Sequence, residues 1–158
     1  MHSASLHRMS TGLFIIAHQP LASALRETAL HAFPDSAADI AVYDVPPGRD
    51  TERYLREAEA VLALMSSPET LILTDVIGAT PANLAALLVK QGRRRALAGV
   101  NVAMVWRAHT HAHLSLDDLW VKARDGALAA VQPVVTPPPQ NQAQKASAHA
   151  PNEHHHQQ

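Results

Sequence analysis

The chain has 158 residues, of which 47% are hydrophobic but only 4% aromatic, and its formal net charge is -1. That length suits one domain with an aliphatic core, and the near-neutral balance gives no basic face for a nucleic acid. The absence of cysteine excludes disulfides, thiolate zinc sites and cysteine nucleophiles. No apolar run approaches the ~20 residues needed to span a bilayer. Residues 1–10 are polar and lack the apolar centre of a secretory signal. The expectation is a cytoplasmic protein with no direct membrane insertion.

Taken in order, residues 1–10 read as a flexible N-terminus, and Gly12 to Ala17 (GLFIIA) as a buried strand. A helix is expected over Leu21 to Phe33, with Pro20 suited to its first turn. Asp39 to Val45 (DIAVYDV) reads as a second strand, closed by Pro46, Pro47 and Gly48. Asp50 is an N-cap for a second helix, whose Leu55, Ala58, Leu62 and Met65 recur at helical spacing. Thr70 to Asp75 (TLILTD) reads as a third strand. Thr80 is expected to cap a third helix, with Pro81 at its first position and Leu84, Leu87 and Leu88 facing inward. Arg93, Arg94 and Arg95 read as a solvated helix end. Gly99 to Trp106 (GVNVAMVW) is expected to be the fourth strand, and Ser115 the cap of a last helix carrying Leu116, Leu119 and Leu128.

From Gln132 the composition turns to Pro, Gln, Ala and His, which cannot bury enough surface to offset ordering entropy. The domain is therefore expected over residues 11–135, with a disordered tail over 136–158. Strands alternating with helices imply an α/β fold: a flavodoxin-like, doubly wound, mostly parallel four-stranded sheet with helices on both faces. Pro133 to Thr136 (PVVT) is a candidate for a short extra C-terminal edge strand.

In such a sheet ligands sit at the carboxyl ends of the strands, where the strand order reverses. His18 directly follows the first strand and Asp75 closes the third, so adjacency of those strands brings imidazole and carboxylate together. A carboxylate bonded to one ring nitrogen fixes the tautomer and leaves the other nitrogen free as a nucleophile. Helices starting near Pro20 and at Thr80 aim unpaired N–H groups at the same edge, a setting suited to phosphate. Gly78 and Ala79 allow close backbone approach there, and the Thr80 hydroxyl adds a donor. The combination points to phosphoryl transfer through phosphohistidine. Alone, each residue has an ordinary structural reading, as a loop histidine, a turn aspartate or a helix cap.

The stretches GLFIIAHQPLASAL, LILTDVIGATPANLA and LAGVNVAMV resemble the mannose-type enzyme IIA of the phosphoenolpyruvate-dependent sugar phosphotransferase system, over about residues 11–130. The resemblance implies a phosphotransferase in which His18 takes a phosphoryl group from the phosphocarrier HPr and passes it to a IIB component, or in which the phosphorylated state is itself a regulatory signal. It implies that Asp75 hydrogen-bonds the histidine and that Thr80 belongs to a phosphoryl loop with Gly78 and Ala79. Asn83 and Asn101 match positions read as structural. The resemblance also implies no organic cofactor or metal, and a homodimer in which a C-terminal strand, here PVVT, crosses between subunits. The sequence departs from many relatives in having Gln19 and Pro20 after the histidine, and Val76 and Ile77 after the acid.

Three other readings compete. The phosphotransferase subunit of a dihydroxyacetone kinase carries a similar histidine domain. A metal-binding module could use His109, His111 and His113, or His154, His155 and His156 in the tail. A nucleotide- or flavin-binding domain would want a glycine-rich fingerprint where AHQPLA stands.

Overall fold

The computed structural model describes residues 11–136; the expected loose N-terminus, the tail beyond residue 136 and its histidines lie outside the described residues. Four strands, β1 (Thr11–His18), β2 (Ile40–Val45), β3 (Glu69–Thr74) and β4 (Arg94–Ala98), form one sheet in the order β2-β1-β3-β4. Every pairing is parallel, with Ile16 of β1 in register with Tyr43 of β2 and Thr74 of β3. Five helices accompany it: α1 (Leu21–Ala32), α2 (Thr51–Ala63), α3 (Thr80–Val89), α4 (Val102–Thr110) and α5 (Leu116–Ala129).

The strands bury both faces, so β1 is an unbroken apolar run rather than an alternating one. On one face Leu13, Ile15, Leu71 and Leu73 pack against α1, α4 and α5. On the other, Phe14, Ile16 and Ile72 pack against α2 and α3 through Tyr54, Ala58, Leu62, Leu84 and Leu88. The core is aliphatic, as the composition requires. The chain winds outward from β1 to β2 and in the opposite direction from β3 to β4, which puts the switch point between the carboxyl ends of β1 and β3.

Two caps stand where expected. Asp50 accepts the Arg53 N–H at 2.8 Å, and Ser115 accepts the Asp118 N–H at 3.2 Å.

Several expectations are corrected. The fourth strand is Arg94–Ala98, and most of the run expected to form it is helix α4. Asn101 caps that helix by accepting the Met104 N–H at 2.8 Å, and its buried Met104, Val105 and Ala108 have helical spacing. The three arginines are not a helix end. Arg93 pairs with Glu69, Arg94 donates to the Leu88 carbonyl at 3.2 Å, and Arg95 pairs with Asp117 at 2.6 Å while lying over the Trp120 ring. Long cationic stems suit an edge strand, where they cover apolar surface and leave the charge in water. Trp120 also donates its indole N–H to the Ala96 carbonyl at 2.9 Å, satisfying a group on the open side of β4.

The N-cap of α3 is Ala79, with Thr80 and Pro81 as the first two helical residues. Leu128 is exposed, and Ala127 takes the inward position of α5 instead. The expected edge strand at Pro133 to Thr136 is not formed; residues 131–136 carry no regular structure and Val134 and Val135 are exposed. A strand needs a partner for its backbone groups, and this segment has apolar side chains with no layer to face.

Candidate functional site

β1 and β3 are adjacent, and their carboxyl ends deliver His18 and Asp75 to one spot. The His18 backbone N–H donates to Asp75 Oδ2 at 2.9 Å, and its ring Nδ1 lies 2.6 Å from the same oxygen. The other carboxylate oxygen, Oδ1, accepts the Val76 N–H at 2.8 Å. Burial works against ionisation of Asp75, but the His18 N–H, the His18 ring and the Val76 N–H together outweigh it and hold the carboxyl below its usual range. An ionised carboxylate only accepts hydrogen bonds, so Nδ1 carries a proton, and in the neutral ring the lone pair is then on Nε2. The ring is 54% exposed while the Asp75 side chain is 12% exposed. The imidazole is thus open to solvent while the carboxylate that bonds it is largely covered.

The segment after Asp75 turns into α3 through Gly78, whose φ of +86° suits glycine. Ala79 is extended and offers no side-chain cap, so the first N–H groups of α3 stay available to an anion. Thr80 is exposed beside them. Gly78, Ala79 and Thr80 therefore fall together at the edge that holds His18 and Asp75. Val76 and Ile77 stand out into solvent next to them.

The second expected anion-binding end differs. α1 does begin beside the pair, but Asp44 of β2 reaches over it. Its Oδ1 accepts the Ser23 N–H at 3.1 Å, and its Oδ2 accepts the Ser23 hydroxyl. A carboxylate from the neighbouring strand occupies the positive end of that helix, which leaves α3 as the open one. Asp44 was missed from the sequence; its only signal is an acid inside an otherwise apolar strand.

Asn101 is structural, holding Met104 and donating to the Ala127 carbonyl at 3.4 Å. Asn83 is exposed on α3. Of His109, His111 and His113, the last two stack with ring centroids 6.3 Å apart. His109 packs on Phe33 with ring centroids 4.4 Å apart, and His111 donates from Nδ1 to the Arg107 carbonyl at 2.9 Å. Among the described residues no group of three or more His, Asp or Glu side chains is placed to hold a metal ion. Among the same residues no helix is long and apolar enough to cross a membrane.

Comparison with known proteins bears on this geometry. The profile of the family described as PTS system fructose IIA component (EIIA-man) matches residues 12–123. No curated protein matches the chain significantly. The mannose/sorbose specific IIA subunit of the phosphotransferase system from Enterococcus faecalis superposes with a TM-score of 0.73 at 23% identity, covering 82% of this chain and 98% of that one. The phosphotransferase system component EIIA from Streptococcus agalactiae gives 0.67 at 19% identity, covering 78% and 96%. The PTS IIA protein associated with the fucose utilization operon of Streptococcus pneumoniae gives 0.64 at 18% identity, covering 74% and 90%. These likenesses establish the shared fold, and the profile over residues 12–123 establishes the family: the chain belongs to the EIIA-man components of the phosphotransferase system, which are phosphotransferases of sugar transport.

Proposed function

We propose that this protein accepts a phosphoryl group on Nε2 of His18 from the phosphohistidine of HPr and passes it to a IIB component or holds it as a regulatory signal. The contact between His18 Nδ1 and Asp75 Oδ2 at 2.6 Å carries this reading. In the step, the donor's P–N bond breaks as a P–Nε2 bond forms. The proton on Nδ1 stays in its hydrogen bond to Asp75, and the carboxylate balances the positive charge that develops on the ring. The open start of α3, with Gly78, Ala79 and Thr80, receives the phosphoryl oxygens. The reaction is mainly positioning and charge stabilisation, so these residues need supply no covalent chemistry of their own.

The reading extends to a cytoplasmic homodimer that meets HPr over the sheet edge. Exposed Val76 and Ile77 at the rim support a protein partner there. Exposed Val131, Val134 and Val135 support a subunit contact at the C-terminal end. Incubation with phosphoenolpyruvate, enzyme I and HPr tests the proposal. Wild type is expected to take up one acid-labile phosphate per chain and the His18→Ala variant none; uptake by His18→Ala would contradict it.

A further inference from the structure

We infer that Thr74 is a phosphoryl-contacting residue: when His18 carries its phosphoryl group, the Thr74 hydroxyl donates to one of the phosphoryl oxygens from the sheet side of the site. The inference rests on His18 being the carrier.

Thr74 is the last residue of β3 and 2% exposed. Its Oγ1 is buried and has no hydrogen-bond partner. The three residues before it, Leu71, Ile72 and Leu73, are fully buried and apolar. Valine would fill the same volume there without stranding a polar group, and an unpartnered buried hydroxyl works against folding. Local rules are broken in this way chiefly where function needs it.

The topology says which function. Ile72 and Ile16 belong to the layer that packs on Leu84 and Ala85 of α3. Strand side chains alternate, so Thr74 lies on the face of Ile72, at the end nearest the start of α3. Ile16 is its register partner on β1, and the next β1 position on that face is His18. Thr74 therefore lies on the α3 face near the sheet edge, across from Ile16 and one same-face position short of His18.

The start of α3 leaves room for such a donor. Pro81 occupies its second position and has no N–H. The first helical N–H to find a partner within the helix is Asn83, which donates to the Ala79 carbonyl at 3.0 Å. A phosphoryl group brings three strong acceptor oxygens. Thr74 adds a donor where the proline removes one.

Thr74→Val and Thr74→Ser, compared with wild type, test this. The readouts are the thermal midpoint of the unphosphorylated protein and the rate of His18 labelling from phospho-HPr. Thr74→Val is expected to unfold at or above the wild-type temperature, yet to be labelled about tenfold more slowly or worse. Thr74→Ser, which keeps the hydroxyl, is expected to recover most of the rate. A Thr74→Val protein labelled as fast as wild type would overturn the inference, as would Thr74→Ser labelled no faster than Thr74→Val. If Thr74→Val does not fold, Thr74→Ser alone decides: a rate near wild type supports the inference and a tenfold loss overturns it. Wild type that gains no phosphate on His18 would instead remove the functional reading beneath it.

Discussion

On the proposed function, the Nδ1 proton of His18 decides which ring nitrogen takes the phosphoryl group. It is held by a carboxylate that is itself bonded to two backbone N–H groups, so neither ring nor acid is free to turn. Asp75→Ala should keep the fold and slow labelling of His18 by about 100-fold, measured by rapid quench with circular dichroism as the control for folding. The depressed pKa of Asp75 has a linked effect on stability. Its ionised form stabilises the fold above the unfolded carboxylate pKa of about 3.9, and that contribution is lost as pH falls through the lower folded value. Asp75→Ala should therefore lose less stability than wild type on acidification below about pH 4.

His109 is a second titrating case. Burial pushes its pKa down against the opposing pull of Asp39, and its Nδ1 is buried without a partner. The neutral ring is the stable form, so its contribution is present above the unfolded value of about 6.5 and falls away as pH drops through the folded one. Thermal midpoints at pH 8 and pH 5 should differ more for wild type than for His109→Leu; equal differences would contradict the assignment.

At the scale of elements, β1 to α3 were legible because each announces itself twice, by an apolar run or helical period and by a terminal residue such as Asp50 or Pro81. The next stretch was not. Val102 to Trp106 is β-branched and apolar, and a short run of that kind fits a strand or a buried helix equally by pattern. Asn101 is the signal that resolves it, since its side chain caps α4. Asn101→Ala should cost about 1 kcal/mol in chemical denaturation, with no change expected if α4 did not depend on its cap. Conversely Arg94 to Ala98 carries two arginines and two alanines, so nothing in its composition marks a strand. It forms because β3 offers an open edge and because Arg95 and Trp120 cover its outer side.

For the whole molecule, a parallel sheet buried on both faces follows from strand and helix alternation, and that alternation also put His18 and Asp75 on one edge. A contact that depends on neighbouring strands, Asp44 filling the start of α1, was invisible in one dimension. Each face of the sheet has its own cluster of buried side chains, so neither is dispensable. Leu119→Ala, at a fully buried position on the α5 side, should cost about 2–5 kcal/mol although it lies away from the site. The most direct measurement is nuclear magnetic resonance of the phosphorylated, nitrogen-15-labelled protein, which reports the ring atom that bears phosphorus. The geometry predicts phosphate on Nε2 of His18, with Nδ1 still protonated toward Asp75. Phosphate on Nδ1, or on any other residue, would contradict it.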